Sequence, residues 1–286
     1  MKRIVTIQDI SCIGCCSITV ALPIISAMGS ECGILPTAVL SNHTMFSDFT
    51  CADLSDQIEP ISDMWKKQGI TFDGIYTGYL ASKQQCVQIA GFIERFSEKD
   101  TLTVVDPAMA DNGKLYPAFD SDFPMAMAEV CRRADVILPN ITEASFLTGM
   151  PYRTTYEKAY IREMLERLLE LGCGTAVLTG VSFDPGRLGV VYLDRDGKEF
   201  SYFTKHCEQS YHGTGDIFAS TVTGGLMRGL ELGESLALAA DFVVECIEAT
   251  TGSGEPRWYG AEFETVIPKL CQMLNDRLKE KTVPGE

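Results

Sequence analysis

What most constrains this chain is the order of its periodicities. A β-branched apolar run is followed by a helical repeat, again and again, from residue 2 to about residue 180. Residues 2–8 (KRIVTIQ) read as a buried strand, and Ser17 to Met28 as a helix stopped by Gly29. Residues 32–40 read as one or two short strands. Residues 52–68 read as a helix ended by Gly69 and kinked or split at Pro60. FDGIYTGYL is a strand that runs into a loop, and residues 82–97 put Ile89, Phe92, Ile93 and Phe96 on one helical face. TLTVVDP is a buried strand ending at Pro107, the polar stretch from Ala110 to Pro124 reads as a loop or flap, and a helix runs on to Arg133. The strand DVILP, a short helix from Thr142, an amphipathic helix over 154–171 and the strand TAVLTG complete the alternation. Helices between successive strands act as crossovers, so the expected fold is α/β with a mainly parallel sheet and helices on both faces.

Near residue 188 the pattern changes. RLGVVYLD and KEFSYFTK flank an Asp-Gly turn and read as a β-hairpin, and helices follow over roughly 214–229, 233–251 and 260–278. No internal repeat, low-complexity tract or linker divides the chain, so residues 1–286 are expected to form a single domain.

Composition excludes several classes. With 24 Lys and Arg against 39 Asp and Glu, the net charge is −15 and no basic stripe exists for nucleic acid. No apolar run approaches the roughly 18 residues a membrane span requires. The N-terminus has two basic residues but no apolar core before a small-residue cleavage site, so no signal peptide is expected. Eleven cysteines, an odd number in a chain too long for a small secreted scaffold, suit free thiols in a reducing cytoplasm. Cys12-Ile13-Gly14-Cys15-Cys16 holds one CxxC but no second ligand pair, and reads as a small-residue loop.

The sharpest local feature is His212-Gly213-Thr214-Gly215-Asp216, which opens a helix. Two glycines let the backbone turn tightly and expose N–H groups, and with the helix dipole these make a site for negative charge. Asp216 caps that helix or serves as general base beside a phosphate; spacing alone leaves both open. Two further carboxylates, Asp106 after TLTVVD and Glu143 after DVILP, stand at strand ends, where open parallel sheets bind ligands. They suit Mg²⁺ beside a phosphate, or Asn140 and Glu143 merely form a capping-box pair.

In this order the segments resemble the ribokinase-type kinases and, among them, pyridoxal kinases. The resemblance is carried by Ile7-Gln8, Ser41-Asn42-His43-Thr44, Thr77-Gly78-Tyr79-Leu80 with Ser82, Val105-Asp106-Pro107-Ala108-Met109, Leu138-Pro139-Asn140-x-x-Glu143 and Gly213-Thr214-Gly215-Asp216. It spans about residues 3 to 250. It implies a ribokinase-like three-layer sandwich and phosphoryl transfer from ATP, with Mg²⁺, to the 5′-hydroxymethyl of a B6 vitamer. It also implies a homodimer. Asp216 would take the hydroxyl proton, and the N–H groups of Gly213, Thr214, Gly215 and Asp216 would form the anion hole. Asp106 and Glu143, with Asn140, would hold the metal. His43, Thr44 and Tyr79 would border the substrate, and the 110–124 stretch would be a flap. Thr179-Gly180 and the stretch from Thr251 to Glu255 would contact the nucleotide. Asp9 departs from the Ser usual after Ile-Gln in pyridoxal kinases, and a carboxylate there is expected to favour a cationic vitamer such as pyridoxamine. Ser17-Ile18-Thr19 replaces their usual Gly-Asn-Ser. A hydroxymethylpyrimidine kinase, and a non-catalytic protein that binds a B6 vitamer or nucleotide, are the alternatives.

Overall fold

The computed structural model describes residues 1–254 and 257–282. In chain order, β1 (Arg3–Ser11), α1 (Ile18–Ala27), β2 (Glu31–Leu40), β3 (Cys51–Asp53) and α2 (Ser55–Lys67) lead into β4 (Gly74–Thr77), α3 (Lys83–Phe96) and β5 (Leu102–Val105). A small hairpin of β6 (Ala110–Asp111) and β7 (Lys114–Leu115) precedes α4 (Phe123–Cys131), β8 (Val136–Ile137), α5 (Ile141–Thr148) and α6 (Lys158–Glu170). Then come β9 (Thr175–Asp184), β10 (Arg187–Asp194), β11 (Glu199–Lys205), α7 (Thr214–Met227), α8 (Leu232–Gly252) and α9 (Ile267–Thr282).

Among the described residues nine strands form one sheet in the order β11-β10-β9-β8-β5-β4-β1-β2-β3. The run from β2 to β9 is parallel, with antiparallel strands at both edges. The expected parallel sheet with helices on both faces is what the chain builds, and its alternating side chains explain why. Ile4, Tyr76, Val104, Val136 and Val177 pack against α1, α7 and α8 through Ala21, Ile25, Phe218, Val222 and Ala239. Their neighbours Val5, Ile75, Val105, Ile137 and Leu178 pack on the opposite face, where Ile58, Ile89, Val130, Ala144 and Met164 sit. α9 adds Leu270 and Leu274 over Ile24, Ile217 and Phe242. β1 passes to β2 on one side, and the chain then returns to β4 on the other. This reversal makes the carboxyl ends of β1 and β4 the topological switch point.

Several elements differ from the sequence reading. Residues 51–53 are not the start of a helix but an edge strand, paired Leu40 to Cys51. Asp53 Oδ1 accepts from both the Ser55 backbone N–H (2.7 Å) and the Ser55 hydroxyl (2.5 Å), so the helix starts after it. α2 then runs through Pro60 unsplit. β9 continues past TAVLTG to Asp184 and pairs antiparallel with β10, so the single expected hairpin is a three-stranded meander. Inside the expected flap, Asn112 (φ 51°) and Gly113 (φ 77°) both adopt left-handed backbone, the signature of a two-residue hairpin turn. α9 starts at Ile267 rather than near 260, after the turns at 258–260 and 264–266.

Phe242 is fully buried where α8 meets α1, α7 and α9. Phe242→Ala is expected to cost about 3–5 kcal/mol of unfolding free energy, read from urea denaturation.

Candidate active site

A cavity of about 650 Å³ opens where β5 and β8 end, beside the middle of β9 and the start of α7. Asp106, Asn140, Glu143, Thr179 and the whole run from Gly213 to Asp216 line it. The structure thus gathers eight sequence-nominated residues from four separate segments around one volume.

The start of α7 is open to an anion. Its cap, Gly213, has φ 78° and makes no side-chain cap bond. Ile217 is the first residue whose N–H closes the helix, 2.9 Å from the Gly213 carbonyl. The N–H groups of Gly213, Thr214, Gly215 and Asp216 donate to no acceptor among the described residues. A β-carbon on Gly213 would lie 1.7 Å from the Cys15 carbonyl oxygen, so no other residue fits. One on Gly215 would meet nothing within 4 Å. One glycine is required by close packing, and the other leaves room above the N–H groups.

Opposite stand buried acids. Asn140 caps α5 by accepting from Glu143 N–H (2.9 Å), while Glu143 Oε2 accepts from Asn140 N–H (2.8 Å). The capping box is therefore real, and Glu143 lines the cavity as well. Glu143 Oε1 also accepts from Met109 N–H (3.2 Å). Asp106 is buried and accepts no hydrogen bond among the described residues. Burial pushes both carboxyls well above the ordinary carboxylate range, with the Asp216 charge adding to the rise at Asp106 and the Asp106 charge to that at Glu143. Asp216, half-buried, is raised to about 7 by desolvation and by the nearby Asp9 charge, while the facing Ser17 backbone N–H opposes the rise. Among the described residues no Lys or Arg forms an ion pair with Asp9, Asp106, Glu143 or Asp216. Uncompensated oxygen ligands beside open backbone N–H groups fit a hard divalent cation. Asp106 has free lone pairs for direct contact, whereas Glu143, already engaged by backbone N–H groups, suits contact through water.

Four nominated residues do not line this cavity: Asp9, His43, Thr44 and Tyr79. They gather where β1, β2 and β4 end. Asp9 is buried, its Oδ1 accepting from Ser17 Oγ (2.5 Å) and its Oδ2 from Ser11 Oγ (3.1 Å). His43 packs on His212, ring centroids 5.4 Å apart, and its Nδ1 accepts from Met45 N–H (3.2 Å). Thr44 is exposed, and the Tyr79 hydroxyl is raised to about 12 by burial, with the Asp9 charge adding to it.

The flap links the two groups. Its hairpin is anchored by Gly113 N–H to Thr142 Oγ1 (3.1 Å) and by Asn140 Nδ2 to the Ala110 carbonyl (2.9 Å). Asp111, Asn112 and Tyr116 face the cavity, while Phe119 packs on Tyr79 at 5.5 Å. Asp111 and Tyr116 were not singled out from sequence, although the Asn-Gly turn beside Asp111 was the available signal. Lys205, His206 and an apolar wall of Val243, Val244 and Ile247 were missed as well. Nothing in their spacing marks them, and Lys205 is paired with Glu248. Gly180 lines the cavity as expected. Thr251 does not; its hydroxyl bonds Ile247 and Tyr211, and Glu255 lies outside the described residues.

Residues 4–258 match the phosphomethylpyrimidine kinase family. A Bacteroides thetaiotaomicron protein, described provisionally as a phosphomethylpyrimidine kinase and crystallised with pyridoxal, is 37% identical with a TM-score of 0.89, covering 94% of this chain and 95% of its own. The pyridoxal kinase of Lactobacillus plantarum is 31% identical with a TM-score of 0.89, covering 97% and 99%. A hydroxymethylpyrimidine/phosphomethylpyrimidine kinase of Bacillus subtilis is 26% identical over 228 residues, 76% of this chain and 79% of its own.

Two outcomes follow from the buried acids. A raised carboxyl means that the folded chain binds protons the unfolded chain has already lost, so stability falls as pH rises. The metal-free, ligand-free protein is therefore expected to lose thermal midpoint between about pH 6.5 and 8, where the unfolded carboxyls are already ionised and folded Asp216 (about 7) and Asp106 (about 8) are still losing protons. His43 and His212, lowered by burial, act oppositely but only below their ordinary 6.5. Asp106→Asn is expected to raise the midpoint of the same form at pH 8 by about 2–4 °C, read by differential scanning fluorimetry.

Proposed function

Because the chain belongs to the phosphomethylpyrimidine kinase family, we propose that it is a single-domain kinase that uses ATP and Mg²⁺ to phosphorylate the 5′-hydroxymethyl group of pyridoxal, pyridoxamine or pyridoxine. The observation that carries this reading is one cavity holding both an open helix N-terminus and a pair of unpaired acids. The pyridoxal-bound relative and the Lactobacillus plantarum enzyme support the vitamer class.

In this reading Asp216 accepts the proton of the 5′-hydroxyl as that oxygen attacks the γ-phosphorus of ATP. The bond from that phosphorus to the β–γ bridging oxygen breaks, and ADP leaves with the electron pair. The N–H groups from Gly213 to Asp216 hold the charge on the transferring phosphoryl oxygens. Asp106 and Glu143 would hold Mg²⁺, which would supply the neutralisation of phosphate charge that one already-paired lysine cannot. Asn140 fixes the start of α5 and the base of the flap. Thr179 and the apolar wall on α8 border the nucleotide. Asp9, His43, Thr44 and Tyr79 border the vitamer ring, and the flap excludes water that would otherwise accept the phosphoryl group.

A second reading, hydroxymethylpyrimidine as the alcohol, is favoured by the family's name and the Bacillus subtilis relative. Both substrates are flat heteroaromatics with a primary alcohol. We place the protein in the cytoplasm, a reading its eleven free cysteines support. We also propose a homodimer, which sedimentation velocity tests.

ADP release with Mg·ATP and each of pyridoxal, pyridoxamine, pyridoxine and hydroxymethylpyrimidine decides the substrate. Turnover of a B6 vitamer is expected, with kcat lowered about 10²–10⁴-fold in Asp216→Asn. Preference for the pyrimidine would move the chain to the second reading. Tight vitamer binding without turnover would leave a non-catalytic binding protein.

A further inference from the structure

The β1–α1 loop, residues 12–17, lies under the catalytic turn, and one of its residues is held in an unusual state. Ser17 has φ 52° and ψ −133°, backbone that glycine takes readily and other residues rarely do. Only one other non-glycine among the described residues has positive φ, Asn112 in its hairpin turn. Ser17 stands at the cap position of α1 but makes no side-chain cap bond. Its carbonyl instead accepts the first helical N–H groups, from Val20 (3.1 Å) and Ala21 (2.9 Å), while its hydroxyl turns back to Asp9 Oδ1 at 2.5 Å. Its backbone N–H faces the Asp216 carboxylate.

The surrounding loop leaves little freedom. The Cys15 carbonyl sits where a Gly213 β-carbon would be, and the Thr19 hydroxyl donates to the Cys16 (2.7 Å) and Gly14 (3.1 Å) carbonyls. His43 N–H donates to the Ile13 carbonyl at 2.8 Å. The loop is thus wedged between the substrate-side segment and the start of α7. Asp9, which no cation among the described residues pairs, directs its two oxygens to serine hydroxyls on either side of that loop. A residue with positive φ needs compensating contacts, and the Asp9 bond is the one that the Ser17 side chain makes.

We propose that Ser17 is a positioning residue for the phosphoryl-transfer reaction: its hydroxyl, anchored on Asp9, holds the left-handed backbone that aims its amide at the Asp216 carboxylate. Asp9 is then the anchor of the catalytic base as well as a neighbour of the vitamer. The inference rests on the reading of Asp216 as the base.

The test compares Ser17→Ala, Ser17→Gly, Asp9→Ala, Asp9→Asn and the double variant Asp9→Ala/Ser17→Ala with wild type. Ser17→Gly removes the hydroxyl but suits the backbone, so it guards against simple misfolding. Ser17→Ala is expected to lower kcat roughly 10–30-fold with KM for ATP within about 2-fold. Ser17→Gly is expected to lower kcat by a smaller factor. The double variant should fall no further than Asp9→Ala, because the two residues act through one contact. Asp9→Asn, whose amide oxygen still accepts the Ser17 hydroxyl, should retain several-fold more kcat than Asp9→Ala. Unchanged kcat in Ser17→Ala, or losses that multiply in the double variant, would overturn the inference while leaving the kinase reading intact. Absence of turnover in wild type would instead sink the kinase reading. A crystal structure of Ser17→Ala judges the geometry independently of activity. A displaced Asp216 carboxylate is expected, and one in its original place would sink the proposal.

Discussion

Four carboxylates, Asp9, Asp106, Glu143 and Asp216, are drawn to the carboxyl edge of one sheet without a cation of their own among the described residues. Burial makes each hold its proton more tightly than it would in water. A site built this way is poised for what it lacks. A hard cation and a phosphate chain would together neutralise the acids and the open N–H groups of α7. The surrounding architecture serves that poise. β5, β8 and β9 bring the acids and Thr179 to one side, and α7 brings its helix start to the other.

Close approach is what permits the arrangement. Gly213 has the Cys15 carbonyl where a side chain would begin, so the β1–α1 loop and the start of α7 are locked together. The flap is joined to the same structure from the opposite side, through Thr142 and Asn140, both of α5 and its cap. Asn140 therefore serves three ends at once: it caps a helix, holds the flap and lines the cavity. Capping and ligand binding were competing readings of Asn140 and Glu143 in the sequence; the structure shows the capping box and also puts both residues on the cavity wall.

Charge explains the asymmetry of the cavity. Among the described residues Lys205 is the one lysine that lines it, and it is already paired with Glu248. A phosphate bound here would meet the backbone dipoles of α7 rather than a free lysine. This agrees with a chain of net charge −15 in which no basic patch is needed to bind an anionic nucleotide.

Much of this was legible in the sequence, and for definite reasons. Period-2 and period-3.6 patterns report burial directly, so β1, β4, β5 and the helices between them could be read from the apolar positions alone. Gly-Thr-Gly-Asp and Asn-x-x-Glu were visible because their geometry is local, a few residues that cap or open one helix. What stayed hidden depends on partners far along the chain. Cys51–Asp53 becomes a strand only because β2 offers an edge, and β9 runs on to Asp184 only because β10 returns beside it. Lys205, Val243 and Asp111 enter the site through packing of distant elements, and no spacing announces that. The sequence alone therefore determined the layered α/β frame and the residues able to bind charge. Only the tertiary structure decided which of them share a cavity, and that Asp9 holds Ser17 beside Asp216, because those contacts join segments between which the chain carries no local periodicity.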